Sequence, residues 1–252
     1  MKILVLGDIH GRIEALDIVE RENADKVVVL GDFVSTHDNV SAGQQLSIME
    51  DFFNMKEQDP DRFILLRGNH DTQHAGYAWA ECSGYDRHVA TQFPKERWLE
   101  LTQWLYTIDT KDATLIFSHA GISGTWFTNA VNYVQRNSVD KDLSQLTIDD
   151  INNIEPCELF GFTPSNIGDY SGESCTQPLT WIRPTALGND PLRSNTMQIV
   201  QVVGHTPVKK ITNLADIHNE LPQVWLCDCL PRQYLVIDIE NDNISFTVKN
   251  YS

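Results

Sequence analysis

Five short strings in this sequence put Asp, Asn or His directly after a glycine or another small residue. They are Gly7-Asp8-Ile9-His10-Gly11, Gly31-Asp32, Arg67-Gly68-Asn69-His70-Asp71, Ser118-His119-Ala120-Gly121 and Gly204-His205-Thr206-Pro207. Together they supply carboxylate and carboxamide oxygens and imidazole nitrogens, with no thiolate. That donor set suits borderline-hard divalent ions such as manganese, iron or zinc. Asp8 and His10, two apart in an extended segment, are expected to point the same way. Asp32 is a carboxylate that can bridge two ions, and Asn69, His119 and His205 can complete the second. Two ions roughly 3.5–4 Å apart can clamp the attacking and leaving oxygens of an in-line displacement and generate hydroxide near neutral pH. A single Gly-Asp or Gly-His is usually only a turn or a cap. Five such strings after five strand signals point to a site.

Each string follows an apolar run rich in β-branched residues: Ile3–Leu6, Val27–Leu30, Phe63–Leu66, Thr114–Phe117 and Ile199–Val203. Near-continuous apolar runs of this length suit strands buried on both faces. Helical periodicity lies between some of them, over Ile13–Glu22, Gly43–Lys56 and Trp98–Tyr106, the last opened by Pro94-Lys95-Glu96. Strands alternating with helices predict an α/β sheet with helices outside, and ligands in such folds bind at the carboxyl ends of the strands. From about 121 to 191 the chain is rich in Asn, Ser, Asp, Pro and Gly. Thr125–Asn137 and an entry at Ser144–Asp149 are its helical stretches. This segment reads as a less regular insertion covering the active site within one domain spanning 1–252. Strand-like runs return at Val224–Leu226, Tyr234–Ile239 and Ile244–Val248.

The formal net charge of −16 disfavours a long groove for nucleic acid, because an acidic surface repels phosphate backbones. Bound cations reverse that sign locally. Five cysteines, widely spread apart from Cys227 and Cys229, form neither a disulfide framework nor a zinc site, which fits reduced thiols in the cytoplasm. Met1-Lys2 leads into an apolar run too short for a signal peptide, and no stretch reaches the roughly 20 apolar residues that span a bilayer.

The five strings, spread from residue 7 to residue 207, resemble the motifs of the calcineurin-like metallophosphoesterases. Within that family they are most similar to the branch of serine/threonine phosphoprotein phosphatases and symmetrical diadenosine tetraphosphatases, in its bacterial and phage form. The resemblance implies a four-layer α-β-β-α sandwich in which the strands after Val224 belong to the second sheet. It implies two divalent ions, manganese first, with iron or zinc as options. Asp8, His10 and Asp32 would hold one ion, and Asp32, Asn69, His119 and His205 the other. A metal-bridging water would attack, with His70 as general acid for the leaving oxygen. Arg67 and Arg183, the latter in Thr180-Trp181-Ile182-Arg183-Pro184, are candidates to hold phosphate, since the guanidinium fork matches phosphate oxygens. Arg12 is a weaker candidate. His37 and His74 lie close enough in sequence to reach the rim.

Two departures bear on substrate. The branch continues its second motif as Gly-Asp-x-Val-Asp-Arg-Gly, whereas this chain has Gly31-Asp32-Phe33-Val34-Ser35-Thr36-His37-Asp38. The acid that orients His70 is thus replaced by Ser35 and a phosphate-binding arginine by Thr36, with Asp38 or Asp71 as alternative orienting groups. His205 is followed by Thr206-Pro207 and not by x-His, which disfavours the phosphodiesterase and nuclease branch. The expected activity is hydrolysis of phosphomonoesters, phosphoserine and phosphothreonine included. The alternatives are hydrolysis of dinucleoside tetraphosphates or other nucleotides, and a metal-binding scaffold without activity. Expected partners are phosphorylated small molecules, nucleotides or phosphoproteins, with no stable nucleic-acid complex and no membrane.

Overall fold

The structure is a computed structural model that describes residues 1–36, 38–80, 82–137, 147–163 and 168–251. Its first half runs β1 (Lys2–Leu6), α1 (Glu14–Glu22), β2 (Lys26–Val29), α2 (Ala42–Gln58) and β3 (Phe63–Leu66), then three short helices, α3 (Asn69–His74), α4 (Arg87–Gln92) and α5 (Lys95–Leu101). Next come β4 (Thr102–Gln103), β5 (Leu105–Asp109), β6 (Ala113–Ser118), α6 (Gly124–Asn137), α7 (Pro184–Asn189) and β7 (Gln198–Val203). The chain closes with β8 (Thr212–Asn213), α8 (Leu214–Ile217), β9 (Gln223–Leu226), β10 (Gln233–Glu240) and β11 (Asn243–Asn250).

The strands form two sheets, in the orders β11-β10-β1-β2-β3-β4 and β5-β6-β7-β9-β8. The motif-bearing strands run parallel within each sheet: β1 to β2 to β3 in the first, β6 to β7 in the second. Their carboxyl ends therefore gather at one rim. The continuous apolar runs follow from burial on both faces, because successive side chains of a strand alternate. In β1, Ile3 and Val5 face the second sheet in a core shared with Leu115, Phe117, Val200 and Val202. Leu4 and Leu6 face the other way, onto Ala15, Ile18 and Val19 of α1 and Ile48, Phe52 and Phe53 of α2. A third cluster packs Trp126, Ala130 and Val134 of α6 against Ile116 on the outer face of the second sheet. Helix, sheet, sheet, helix is the expected four-layer α/β sandwich.

Two expectations are corrected. Of the three strands after Val224, only β9 joins the second sheet; β10 pairs antiparallel with β1 (Lys2↔Asp238, Val5↔Leu235), and β11 pairs with β10, so both extend the first. The helix expected over Trp98–Tyr106 stops at Leu101. Leu105, Tyr106, Thr107 and Ile108 pair with β6 instead, where aromatic and β-branched side chains gain more from the pleated surface than from a helix. Trp104 marks the crossing between sheets. It is buried, and its Nε1–H donates to Ile154 O at 2.9 Å. Residues 144–146 of the helix entry expected near Ser144 lie outside the described residues. Thr147 caps a short 3-10 helix over Ile148–Asn153. Among the described residues, no helix is long and apolar enough to cross a membrane.

Candidate metal centre

The strand-end loops hold their acids by backbone geometry. The segment after β1 is a turn, not the extended stretch expected there: His10 has φ 47°, and Asp32 and His205 have φ 49° and 61°. Left-handed backbone at three non-glycine residues costs conformational energy, and such strain gathers at functional sites. The neighbouring glycines make room. A Cβ on Gly68 would collide with the Asp32 carboxylate, and one on Gly204 with that of Asp8. Asp8 accepts the His205 N–H at 2.9 and 3.1 Å, and Asp32 accepts the His70 N–H at 2.9 Å. Each carboxylate is thus clamped to the loop of a distant motif.

The result is a cavity of about 390 Å³. Asp8, His10, Asp32, Asn69, His70, Arg183 and His205 all line it. His119 is fully buried behind it, and Asp8, Asp32 and His119 place ligand atoms within 4.8 Å of one another. His10 Nε2 lies 3.9 Å from Asp8 Oδ2, and His70 Nε2 lies 3.9 Å from Asp32 Oδ2.

The imidazoles show what the cluster lacks. A ring nitrogen facing a carbonyl oxygen must carry the proton, so these contacts assign the tautomers. His10 Nδ1 lies 3.2 Å from Val34 O, and His119 Nδ1 2.8 Å from Leu30 O. His205 Nε2 lies 3.1 Å from Trp181 O. In the neutral rings the opposite nitrogens are lone pairs turned inward. His119 Nε2 sits 2.7 Å and His205 Nδ1 3.1 Å from Asn69 Oδ1, with Asp32 Oδ2 3.4 Å from His119 Nε2. The Asn69 amide donates through Nδ2 to Cys82 Sγ at 3.2 Å, which turns its oxygen toward the two rings. Lone pairs converging on lone pairs require positive charge between them, and a backbone carbonyl holding the far N–H is the usual support of a metal-binding histidine. The donors therefore fit divalent cations.

The titration behaviour agrees. Burial raises the Asp8 carboxyl well above its ordinary range, and neighbouring Asp228 adds to this. Burial also opposes the charged form of Asp32, but His119, His70 and His10 outweigh it and lower its pKa. Burial pulls His119 down while Asp32 and Asp8 push it up to about 10, so without cations a proton on this ring supplies the missing charge. Ion binding would displace that proton, so affinity is expected to weaken as pH falls.

Arg183 reaches the cavity from the amino end of α7. Its Nη1 donates to His205 O at 3.1 Å and Thr206 Oγ1 at 3.2 Å. Arg67 does not reach it. Its Nε donates to Thr102 Oγ1 and its Nη2 to Leu99 O and Thr102 O, and the guanidinium lies 5.3 and 4.8 Å from the Trp98 and Trp104 ring centres. It ties α5 to the crossing between the sheets. Arg67→Ala is expected to lower unfolding free energy in urea by about 2–5 kcal/mol, through orphaned carbonyls and lost ring contacts. KM for a small phosphate ester should move less than about threefold; a large rise in KM at unchanged stability would return Arg67 to the site.

Neither proposed alternative to the missing acid reaches His70. Asp71 accepts the Phe33 and Gly68 N–H groups at 2.8 and 3.1 Å, and Asp38 pairs with Arg12 at 3.1 Å. Ser35 Oγ contacts His74 Nε2 at 2.8 Å, and that buried ring stacks on Tyr85 away from the cavity. His37 lies outside the described residues. Sequence reasoning overlooked Asp228, which lines the cavity after β9. A strand followed by an acid was a usable signal, masked by the Cys227-x-Cys229 pair around it.

The comparisons with known proteins agree with this geometry. By fold, the chain is similar to a cold-active protein tyrosine phosphatase (TM-score 0.58, 19% identity, covering 99% of this chain and 78% of that one). It is likewise similar to a protein serine/threonine phosphatase from Saccharomyces cerevisiae (TM-score 0.56, 16% identity, covering 100% and 80%). No curated protein matches it by sequence. The model of the calcineurin-like phosphoesterase family matches residues 1–209, most of the chain. The chain belongs to that family of metal-dependent hydrolases acting on phosphoester bonds.

Proposed function

We propose that the chain hydrolyses phosphomonoesters at a pair of divalent cations, phosphoserine and phosphothreonine side chains included. The observation that carries this reading is the convergence of lone pairs from His119, His205, Asn69 and Asp32 beside Asp8. Asp8, His10 and Asp32 would hold one ion, and Asp32, Asn69, His119 and His205 the other. When bound, the pair, manganese first with iron or zinc as options, supplies Lewis acidity and an acidified water. His70 stands at the cavity wall with its amide on Asp32, placed to give its ring proton to the leaving oxygen. Arg183 holds the phosphate oxygens by charge-assisted hydrogen bonds. The segment 121–191 supplies Trp181 and Arg183 to the wall and is read as a cover on a single domain. A cavity of about 390 Å³ suits a phosphate with a small leaving group. Five free cysteines fit a reducing cytoplasm, and the acidic net charge fits the absence of stable nucleic-acid binding.

A second reading, hydrolysis of dinucleoside tetraphosphates or related nucleotides, draws on Arg12 and Arg232, which line the same cavity as Arg183. The deciding experiment is hydrolysis of para-nitrophenyl phosphate and its bis ester after chelation and manganese add-back. Metal-dependent cleavage of the monoester is expected. Cleavage of the bis ester alone would point to a phosphodiesterase. If metal binds but neither ester turns over, dinucleoside polyphosphates are next, and their failure would leave a scaffold.

A further inference from the structure

β9 runs parallel to β7, so its carboxyl end delivers Leu226-Cys227-Asp228 to the rim where β7 delivers His205. Asp228 is 8% exposed, and what remains exposed lines the cavity. Its backbone oxygen accepts the Val208 N–H at 2.9 Å. Its carboxylate has no hydrogen-bonding partner among the described residues. An unpartnered carboxylate is costly to bury. The cost grows here because Asp8, a second buried carboxylate, lines the same cavity.

The cation nearest to hand is already committed. Arg12 donates from Nη1 to Asp8 O at 3.3 Å and from Nη2 to Asp38 Oδ2 at 3.1 Å. His10 also faces Asp228, but its Nδ1 is tied to Val34 O. Around Asp8, His10 and Asp228 there are two carboxylates and an inward ring nitrogen, and Arg183, a further cation on this wall, donates through Nη1 to His205 O and Thr206 Oγ1. Asp228, like His10, stands outside the group of Asp8, Asp32 and His119 whose ligand atoms lie within 4.8 Å of one another, and the five motifs already supply both ions with ligands on the two-ion reading.

We propose that Asp228 is an outer carboxylate of the metal centre, raising the affinity for the ion on the Asp8–His10 side without ligating it directly. This rests on the two-ion reading given above. The two acids and the ring leave a negative recess, and a divalent cation placed there relieves the repulsion between Asp8 and Asp228. The β9 end is thus a sixth strand end serving the centre.

Isothermal titration of chelator-stripped protein with manganese tests this on the wild type, Asp228→Asn, Asp228→Glu and Arg12→Ala. Asp228→Asn is expected to bind one ion about ten- to a hundredfold more weakly, the range seen when outer-shell partners are removed. The other ion, held from Asn69, His119 and His205, serves as an internal control for folding. Asp228→Glu keeps the charge and is expected to recover most of the loss. Arg12→Ala removes the competing cation and is expected to leave manganese affinity unchanged or tighter. If Asp228 only balances Arg12, Asp228→Asn will bind both ions with wild-type affinity, and that overturns the proposal. Equal weakening of both ions would also overturn it, as a loss of fold. Should Asp228→Asn fail to fold, Asp228→Ser replaces it under the same expectations. Wild-type protein that binds no manganese defeats the two-ion reading and this proposal together. Wild-type protein that binds two ions, alongside unchanged affinities in the variants, defeats this proposal alone.

Discussion

His70→Asn is expected to lower kcat on phosphoserine by about 10²–10⁴-fold, the usual contribution of a positioned general acid. An alkoxide leaves poorly without a proton, so the full loss falls on alkyl phosphates. Para-nitrophenolate leaves well unprotonated, so para-nitrophenyl phosphate should lose far less. The substitution keeps the residue-70 backbone N–H that Asp32 accepts at 2.9 Å, so the carboxylate stays clamped and metal content should not change. Steady-state kinetics on both esters, with metal analysis of the same samples, separate a lost acid from a disturbed centre. A kcat on phosphoserine within threefold of wild type would remove His70 from the mechanism.

Asp8→Asn is expected to act in opposite directions on stability and function. Without metal, Asp8 is a buried acid whose charge is opposed by burial and by Asp228. Neutralising it should raise the stability of chelated protein by about 1–3 kcal/mol, because a buried charge without adequate pairing costs more than a neutral isostere. For a chain of this size that is a rise in melting temperature of roughly 2–12 °C. With manganese the order reverses. Ligands at a hundred times Kd stabilise by about 2.7 kcal/mol, and the variant should forfeit most of that along with phosphatase activity. The pH dependence carries a definite sign. The folded-state pKa of Asp8 lies above its ordinary value near 3.8, so folded protein holds the extra proton. Its favourable contribution is complete below that value and is lost as pH rises through the folded-state pKa. The gap between variant and wild type in chelator should therefore vanish near pH 3.5 and widen toward neutrality. Calorimetry with and without manganese checks both halves. A variant less stable than wild type in chelator would mean that Asp8 is structural, not a charge held in wait for an ion.

How much could be read in advance differs along the chain. The strands that carry the five motifs were legible because burial on both faces leaves unbroken apolar runs, and a small residue before Asp or His marks the turn. The grouping of Asp8, His10, Asp32, Asn69, His70 and His205 around one cavity follows from parallel strands ending at one rim. The pairing of β10 with β1 was not legible, because nothing local at Tyr234–Ile239 distinguishes one sheet edge from another. Arg67 shows the limit for side chains. Its place in the motif suggested phosphate, but three hydrogen bonds and two tryptophan rings behind the sheet claim it. The left-handed backbone at His10, Asp32 and His205 was equally hidden, since only tertiary clamps hold non-glycine residues there.

The clamp between Asp8 and the amide of His205 spans 197 positions, and β1 takes its second neighbour in the first sheet, β10, from the other end of the chain. Chains emerge from the ribosome at about 5–20 residues per second. For tens of seconds, then, the first strand is outside with one edge bare and its acid unclamped. The candidate ligand set is complete only once β7 has been made and His205 follows it. A nascent chain stalled before β10 presents an open strand edge to chaperones or to its neighbours on the same message.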